Sequence, residues 1–186
     1  MNFFLIANND SITDKTINDL PINEEDIIIL YNNQMPLKWK KIKEHENKWL
    51  FLRKKQGGFW GEKTLSKNKN LYKKIFLTTY KEIEEYLLLD MNNKYKHNFN
   101  KCFIKPYDNE LTDFLKFPKY KYPQTGLISY FHIKKNYLNN KIYKVYLVGF
   151  TNDYKGKIWS GHCKKTEQSF LDNEVIIYNN VIKINK

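Results

Sequence analysis

NFFLIA, residues 2–7, carries five consecutive apolar side chains from Phe3 to Ala7 and then stops at Asn8. An unbroken apolar run has no solvent-facing side, so it reads as a strand buried on both faces, as strands of a parallel sheet are. DIIILY at 26–31 repeats the pattern, and between the two lies SITDKTINDLP, a short helical or turn crossover closed by Pro21. Strand, crossover and strand together are the repeat from which parallel sheets are built.

Outward from this unit the alternation continues. KWLFLR at 48–53 reads as a strand followed by the turn KKQGGFWG, with Gly57, Gly58 and Gly61. TTYKEIEEYLLLDMNN at 78–93 spaces Ile83, Tyr86, Leu87 and Asp90 as on a helix, with Thr78 or Thr79 as its cap. KCFIK at 101–105 is expected to be a strand and NELTDFLKF a short helix ending before Pro118. TGLISYFHIKKNYL at 125–138 presents Leu127, Ile128, Phe131 and Leu138 on a helical face, and KIYKVYLVGF at 141–150 is the strongest strand pattern. KTEQSFLDN suggests a last helix, with EVIIYNN and VIKI as terminal strands. The expected architecture is a single α/β domain over residues 1–186: a doubly wound, Rossmann-like, mostly parallel sheet with helices on both faces.

The composition fits a globular chain: 41% hydrophobic and 16% aromatic residues, in 186 positions, exceed what a disordered polymer carries. A net charge of +12 invites nucleic acid as partner, but of 32 basic residues only Arg53 is an arginine. Base and phosphate recognition favours the arginine fork, so nucleic-acid binding ranks last among the readings. A lysine-rich surface equally suits sugar-nucleotide phosphates or an anionic membrane face. Cys102 and Cys163 form no CxxC pair and no zinc-spaced cluster, which fits a reducing cytoplasm. The apolar run at the start reads as a strand and not a signal peptide, and no segment has the length of a membrane span. The expected location is cytoplasmic, with any contact at the inner membrane peripheral.

Ligands of open α/β sheets bind where strand ends lead into helices. That rule selects four loops: Asn8–Ser11, Asn32–Gln34, the approach to Gly126, and Thr151–His162. Asn8, Asn9, Asn32 and Asn33 have amides suited to phosphate or ribose, with Ser11 capping the next helix; the same residue types also dominate ordinary turns. Gln124, Thr125 and Gly126 open a predicted helix, whose free N–H groups and positive dipole end attract anions. His162, flanked by Gly161, can accept a proton near neutral pH, and Glu167 lies about one turn into the following helix, placed to orient the loop or pair with a lysine. His45, His97 and His132 have no such setting. GxSxG, GxxxxGK[ST] and HExxH are all missing from the sequence, and no DxD metal site appears; Glu24-Glu25-Asp26 comes nearest but precedes a strand.

In order and spacing these segments resemble the motif series of the sialyltransferases, both the animal family and the bacterial CMP-sialic acid transferases, with CMP-Kdo transferases related. IANNDS is similar to their Gly-Asn loop with Asn8 in the glycine's place, and DIIILYNNQ to the strand leading to a nucleotide-contacting Asn, where Leu30 or Tyr31 replaces an arginine. PQTG resembles Pro-Ser-Thr-Gly with Gln124 for serine, YLVGFTNDY resembles Gly-Phe/Ile-Asp-Phe-Tyr, and GHCKKTE matches both the His-to-Glu spacing of one family and the Gly-His of the other. The likeness runs from residue 2 to about 171 and is thin between 35 and 118.

The resemblance implies a metal-independent, inverting bacterial glycosyltransferase without a cofactor. It would move sialic acid or a similar acid sugar from a CMP-sugar donor to a glycan acceptor in lipooligosaccharide (lipopolysaccharide) or capsule biosynthesis. His162 would be the general base, Tyr154 would donate to the departing phosphate, and Asn8, Asn9, Asn32, Asn33, Thr125 and Gly126 would bind donor. A non-catalytic member of the same fold that binds a nucleotide or glycan is the alternative.

Overall fold

A computed structural model describes residues 1–55, 58–78, 114–118, 121, 123–138, 142–150 and 162–184. Seven strands are found among them: β1 (Phe3–Ile6), β2 (Ile27–Tyr31), β3 (Lys48–Lys55), β4 (Gly58–Phe59), β5 (Lys74–Thr78), β6 (Val145–Val148) and β7 (Val181–Ile184). The helices are α1 (Asp14–Asn18), α2 (Lys40–Glu44), α3 (Glu62–Asn68), α4 (Thr125–Tyr137) and α5 (Lys164–Ile177).

Six strands pair in parallel in the order β5-β3-β2-β1-β6-β7, and β4 folds back antiparallel on the end of β3. The two opening runs lie side by side, Phe3 opposite Ile27 and Leu5 opposite Ile29. The chain builds outward from β1 through β2, β3 and β5, then returns to β1's other side for β6 and β7. Strand order therefore reverses between β1 and β6, the topological switch point of an open α/β sheet.

Alternate side chains of each strand serve opposite faces, and both faces are covered. Phe4, Ile6, Ile28, Leu30, Leu50 and Leu52 pack with Ile17 of α1, Ile42 of α2 and Leu65 of α3. Phe3, Leu5, Ile29, Phe51 and Leu147 pack with Leu127, Tyr130 and Ile133 of α4 and Leu171 of α5. β1, β2 and β6 are buried along their whole length, which is why they carry no alternation. Each such Ile, Leu or Phe contributes roughly 1.5–3 kcal/mol by leaving water.

Several expectations need correcting. β5, Lys74–Thr78, was not anticipated: KIFLT has only three apolar residues between lysines and threonine. Thr78 ends this strand, donating its hydroxyl to Leu52 O at 3.2 Å, and the helix it was expected to cap lies outside the described residues. EVII, expected as a strand, forms the last turn of α5, where Glu174 is buried, while VIKI is a strand as expected. The strong pattern at 141–150 narrows to Val145–Val148. On α4 the buried face carries Tyr130 and Ser129, and Phe131 lies half-exposed. Ser11 caps nothing: the side chain of Thr13 accepts from Thr16 N and caps α1. The expected helix over 78–93 beyond Thr78, the strand at 101–105 and most of the helix at 109–117 lie outside the described residues. Among the described residues, no helix is long and apolar enough to cross a membrane.

Candidate functional site

The carboxyl ends of the parallel strands form one rim, and the asparagines expected there hold its loops to each other. Asn8 Nδ2 donates to Tyr31 O at 3.0 Å and its Oδ1 accepts from Met35 N at 3.1 Å, tying the exit of β1 to the exit of β2. Asn9 is 3% exposed and spans the switch point: Nδ2 donates to Gly149 O at 2.8 Å, while Oδ1 accepts from both the backbone N and hydroxyl of Ser11. Behind it Ile12 packs on Gly149, whose φ of 75° and lack of a Cβ allow the approach. Each amide thus engages the protein through one N–H and its oxygen.

Asn32 occupies the left-handed region at φ 34°, a conformation that Asn tolerates better than most residues. Its Oδ1 accepts from Arg53 N at 2.9 Å and its Nδ2 donates to Thr125 Oγ1 at 3.3 Å, joining β2, β3 and α4. Gln34 Nε2 donates to the Asn32 carbonyl, and Gln34 Oε1 accepts from the Tyr72 hydroxyl at 2.6 Å. Asn33, next to this knot, is exposed.

α4 begins as predicted, with Gln124 as cap and Thr125 buried. Two features change its character. A Cβ on Gly126 would meet the Phe150 ring at 2.7 Å, so the absent side chain lets the ring pack against the first turn of α4. The Gln124 N–H donates to Glu167 Oε1 at 3.1 Å, so a carboxylate of the protein itself lies at the start of α4. Glu167 is 6% exposed and joins the beginnings of α4 and α5 through its bond to the Gln124 N–H. Burial pushes its pKa well above the ordinary carboxyl value, opposed by the Gln124 N–H and by the field of Arg53.

Arg53 is the residue that sequence reasoning passed over. It stands at the carboxyl end of β3, 3% exposed, and its Nη1 donates to Pro123 O at 3.3 Å. A signal existed: one arginine among 31 lysines, directly after an apolar strand. Tyr31, on the neighbouring strand, shares a 2.9 Å hydrogen bond with Ser129, whose hydroxyl donates to Gly126 O. Burial raises the Tyr31 pKa, so this phenol stays protonated.

His162 is half-buried, two residues before α5, with Cys163 as the helix cap. The Cys163 pKa is lowered, first by its 3.1 Å hydrogen bond with Thr166. Tyr154 and Gly161 lie outside the described residues, as does the loop from 151 to 161. The other described histidines are structural: His45 Nε2 bonds Asp26 O at 2.7 Å, and His132 packs on Phe51 and Phe76. Among the described residues no group of three or more His, Cys, Asp or Glu could hold a metal ion.

The rim thus brings the first three loops and the start of α5 into one continuous polar network. Neither family models, curated proteins nor solved structures give a match to this chain.

Proposed function

We propose that this protein is a metal-independent, inverting glycosyltransferase of the sialyltransferase type, moving sialic acid or a similar acid sugar from a CMP donor to a surface-glycan acceptor. The observation that carries the reading is the convergence at one rim. Asn9 reaches Gly149, Asn8 reaches the exit of β2, Asn32 reaches Thr125, and Gln124 reaches Glu167, five residues beyond His162.

The chemistry suits such a rim. A CMP donor departs as a phosphate monoester, whose growing charge is met by hydroxyls, amide N–H groups and helix starts without a divalent ion. Inversion at the anomeric carbon needs one base to take the acceptor's proton, the role assigned to His162. Since the side chains of Asn8, Asn9 and Asn32 already have protein partners, their part in donor binding is to fix the loops. Direct contact falls to exposed Asn33, to backbone N–H groups and, by the resemblance, to Tyr154. The +12 charge favours a sugar nucleotide and, at a cytoplasmic membrane face, anionic lipid.

The structural use of those amides also favours a second reading, a non-catalytic nucleotide- or glycan-binding member of the fold. CMP release from CMP-sialic acid and CMP-Kdo, with and without glycan acceptor, separates the two. Turnover abolished by His162→Ala supports the transferase; CMP binding with no turnover of either donor supports the second reading. Undiminished turnover in a folded His162→Ala protein removes the base assignment.

A further inference from the structure

The Pro123 carbonyl and the Gln124 N–H belong to one peptide group, and in a trans peptide they point in opposite directions. Arg53 Nη1 donates to that carbonyl at 3.3 Å, and Glu167 Oε1 accepts from that N–H at 3.1 Å. One peptide plane is therefore gripped on both edges by buried side chains of opposite type, one from β3 and one from α5. Each bond polarises the amide in the direction that strengthens the other.

A second anchor closes the arrangement. The backbone N of Arg53 is held by Asn32 Oδ1, and Asn32 Nδ2 holds Thr125 Oγ1, two residues beyond Pro123. The carboxyl end of β3 at Arg53, the start of α4 and the first turn of α5 are thereby tied into one unit. His162 enters α5 from this unit, five residues before Glu167.

We infer that Arg53 and Glu167 are positioning residues for the base at 162: the chain from guanidinium through peptide to carboxyl group fixes the start of α5, and with it the imidazole, relative to the sheet. The inference deepens the transferase reading and rests on it for its kinetic consequence.

The test uses the full chain, with CMP-sialic acid and CMP-Kdo as probes, and two readouts: the kcat and KM for CMP release, and the 1H–15N ring resonances of His162. Glu167→Met removes the acceptor of the Gln124 N–H, and Arg53→Met removes the donor to Pro123 O. Both are expected to shift the His162 resonances and lower kcat by roughly ten- to a hundredfold with little change in KM, the signature of a misplaced reacting group. Glu167→Gln keeps an amide oxygen for the Gln124 N–H and is expected to preserve both readouts. Arg53→Lys, a point charge in place of a planar fork, should move both in the same direction by a smaller amount.

His162 resonances and kcat unmoved in folded Glu167→Met overturn the inference. If the methionine variants do not fold, Arg53→Lys decides, and unmoved resonances in it have the same force. Failure of the transferase reading looks different: the resonance shifts appear, but His162→Ala leaves turnover intact or no donor is turned over.

Discussion

Gly61 lies with its α-carbon against the Asn32 backbone, so closely that a Cβ built on it would overlap the Asn32 carbonyl. Its φ of 81° is also one that side-chain-bearing residues rarely adopt. The exit of the β3–β4 hairpin is thereby pressed onto the left-handed turn that ends β2. Gly61→Ala must displace backbone, which cannot swing aside as a side chain can. We expect it to cost about 3 kcal/mol or more, read as a lowered urea midpoint with an unchanged m value.

Asn32 ties three elements with one amide, so its replacements should grade by how many bonds survive. Asn32→Asp keeps an acceptor for Arg53 N but cannot donate to Thr125; Asn32→Ala loses both and also strains the positive φ. The expected costs are about 1 kcal/mol for aspartate and about 2–3 kcal/mol for alanine, measured by denaturant unfolding. Asn32→Gly relieves the strain and isolates the amide's contribution.

The strands most legible in the sequence are those buried on both faces. FFLI and IIILY announce themselves because every position is apolar, and the same holds for VYLV. β5 escaped because burial of Ile75, Phe76, Leu77 and Thr78 depends on β3 beside it, and the lysines before it disguise a three-residue apolar core. EVII misled for the converse reason: Val175, Ile176 and Ile177 are β-branched, yet Glu174 belongs to the helix interior. There it accepts the Tyr130 hydroxyl at 2.6 Å and pairs with Lys134 at 2.7 Å. Tertiary partners overrode local propensity. At the rim, the order of the loops could be read but the use of their side chains could not. Nothing in ANNDS says whether an amide faces a ligand or Gly149 O, because those partners lie 140 residues apart.

His132 offers a pH test. Burial, and secondly the charge of Lys74, lower its pKa to about 4 from the ordinary 6.5, so the folded state favours the neutral ring. A base with a depressed folded pKa contributes stability above its unfolded pKa and loses it as pH falls toward the folded value. Stability should therefore decline between pH 6.5 and about 4, with about 1–3 kcal/mol of that decline assigned to His132 once partial exposure is allowed for. In His132→Phe, which keeps the aromatic contacts with Phe51 and Phe76, that share of the acid loss should vanish. Thermal melts from pH 7 to 4 decide it; parallel curves for the two proteins would refute the assignment.

Asn9 at the switch point should show the opposite pH response when made acidic. Its Nδ2 donates to Gly149 O from a site 3% exposed, while its Oδ1 accepts from Ser11. Asn9→Asp keeps the acceptor side but turns a carboxylate oxygen toward a carbonyl oxygen, burying a charge against a lone pair. Folding then favours the protonated acid, whose hydroxyl can donate to Gly149 O as the amide did. The folded pKa of this aspartate must rise above its ordinary value of about 3.9, so its penalty is absent at low pH and grows as pH rises through that range. We expect Asn9→Asp to be less stable than the parent by about 2–4 kcal/mol at pH 7, with the gap closing toward pH 4. Asn9→Ala lacks any titrating group, so its deficit should stay constant across the same range. A constant deficit for Asn9→Asp as well would mean that the Asn9–Gly149 bond does not hold β1 to β6.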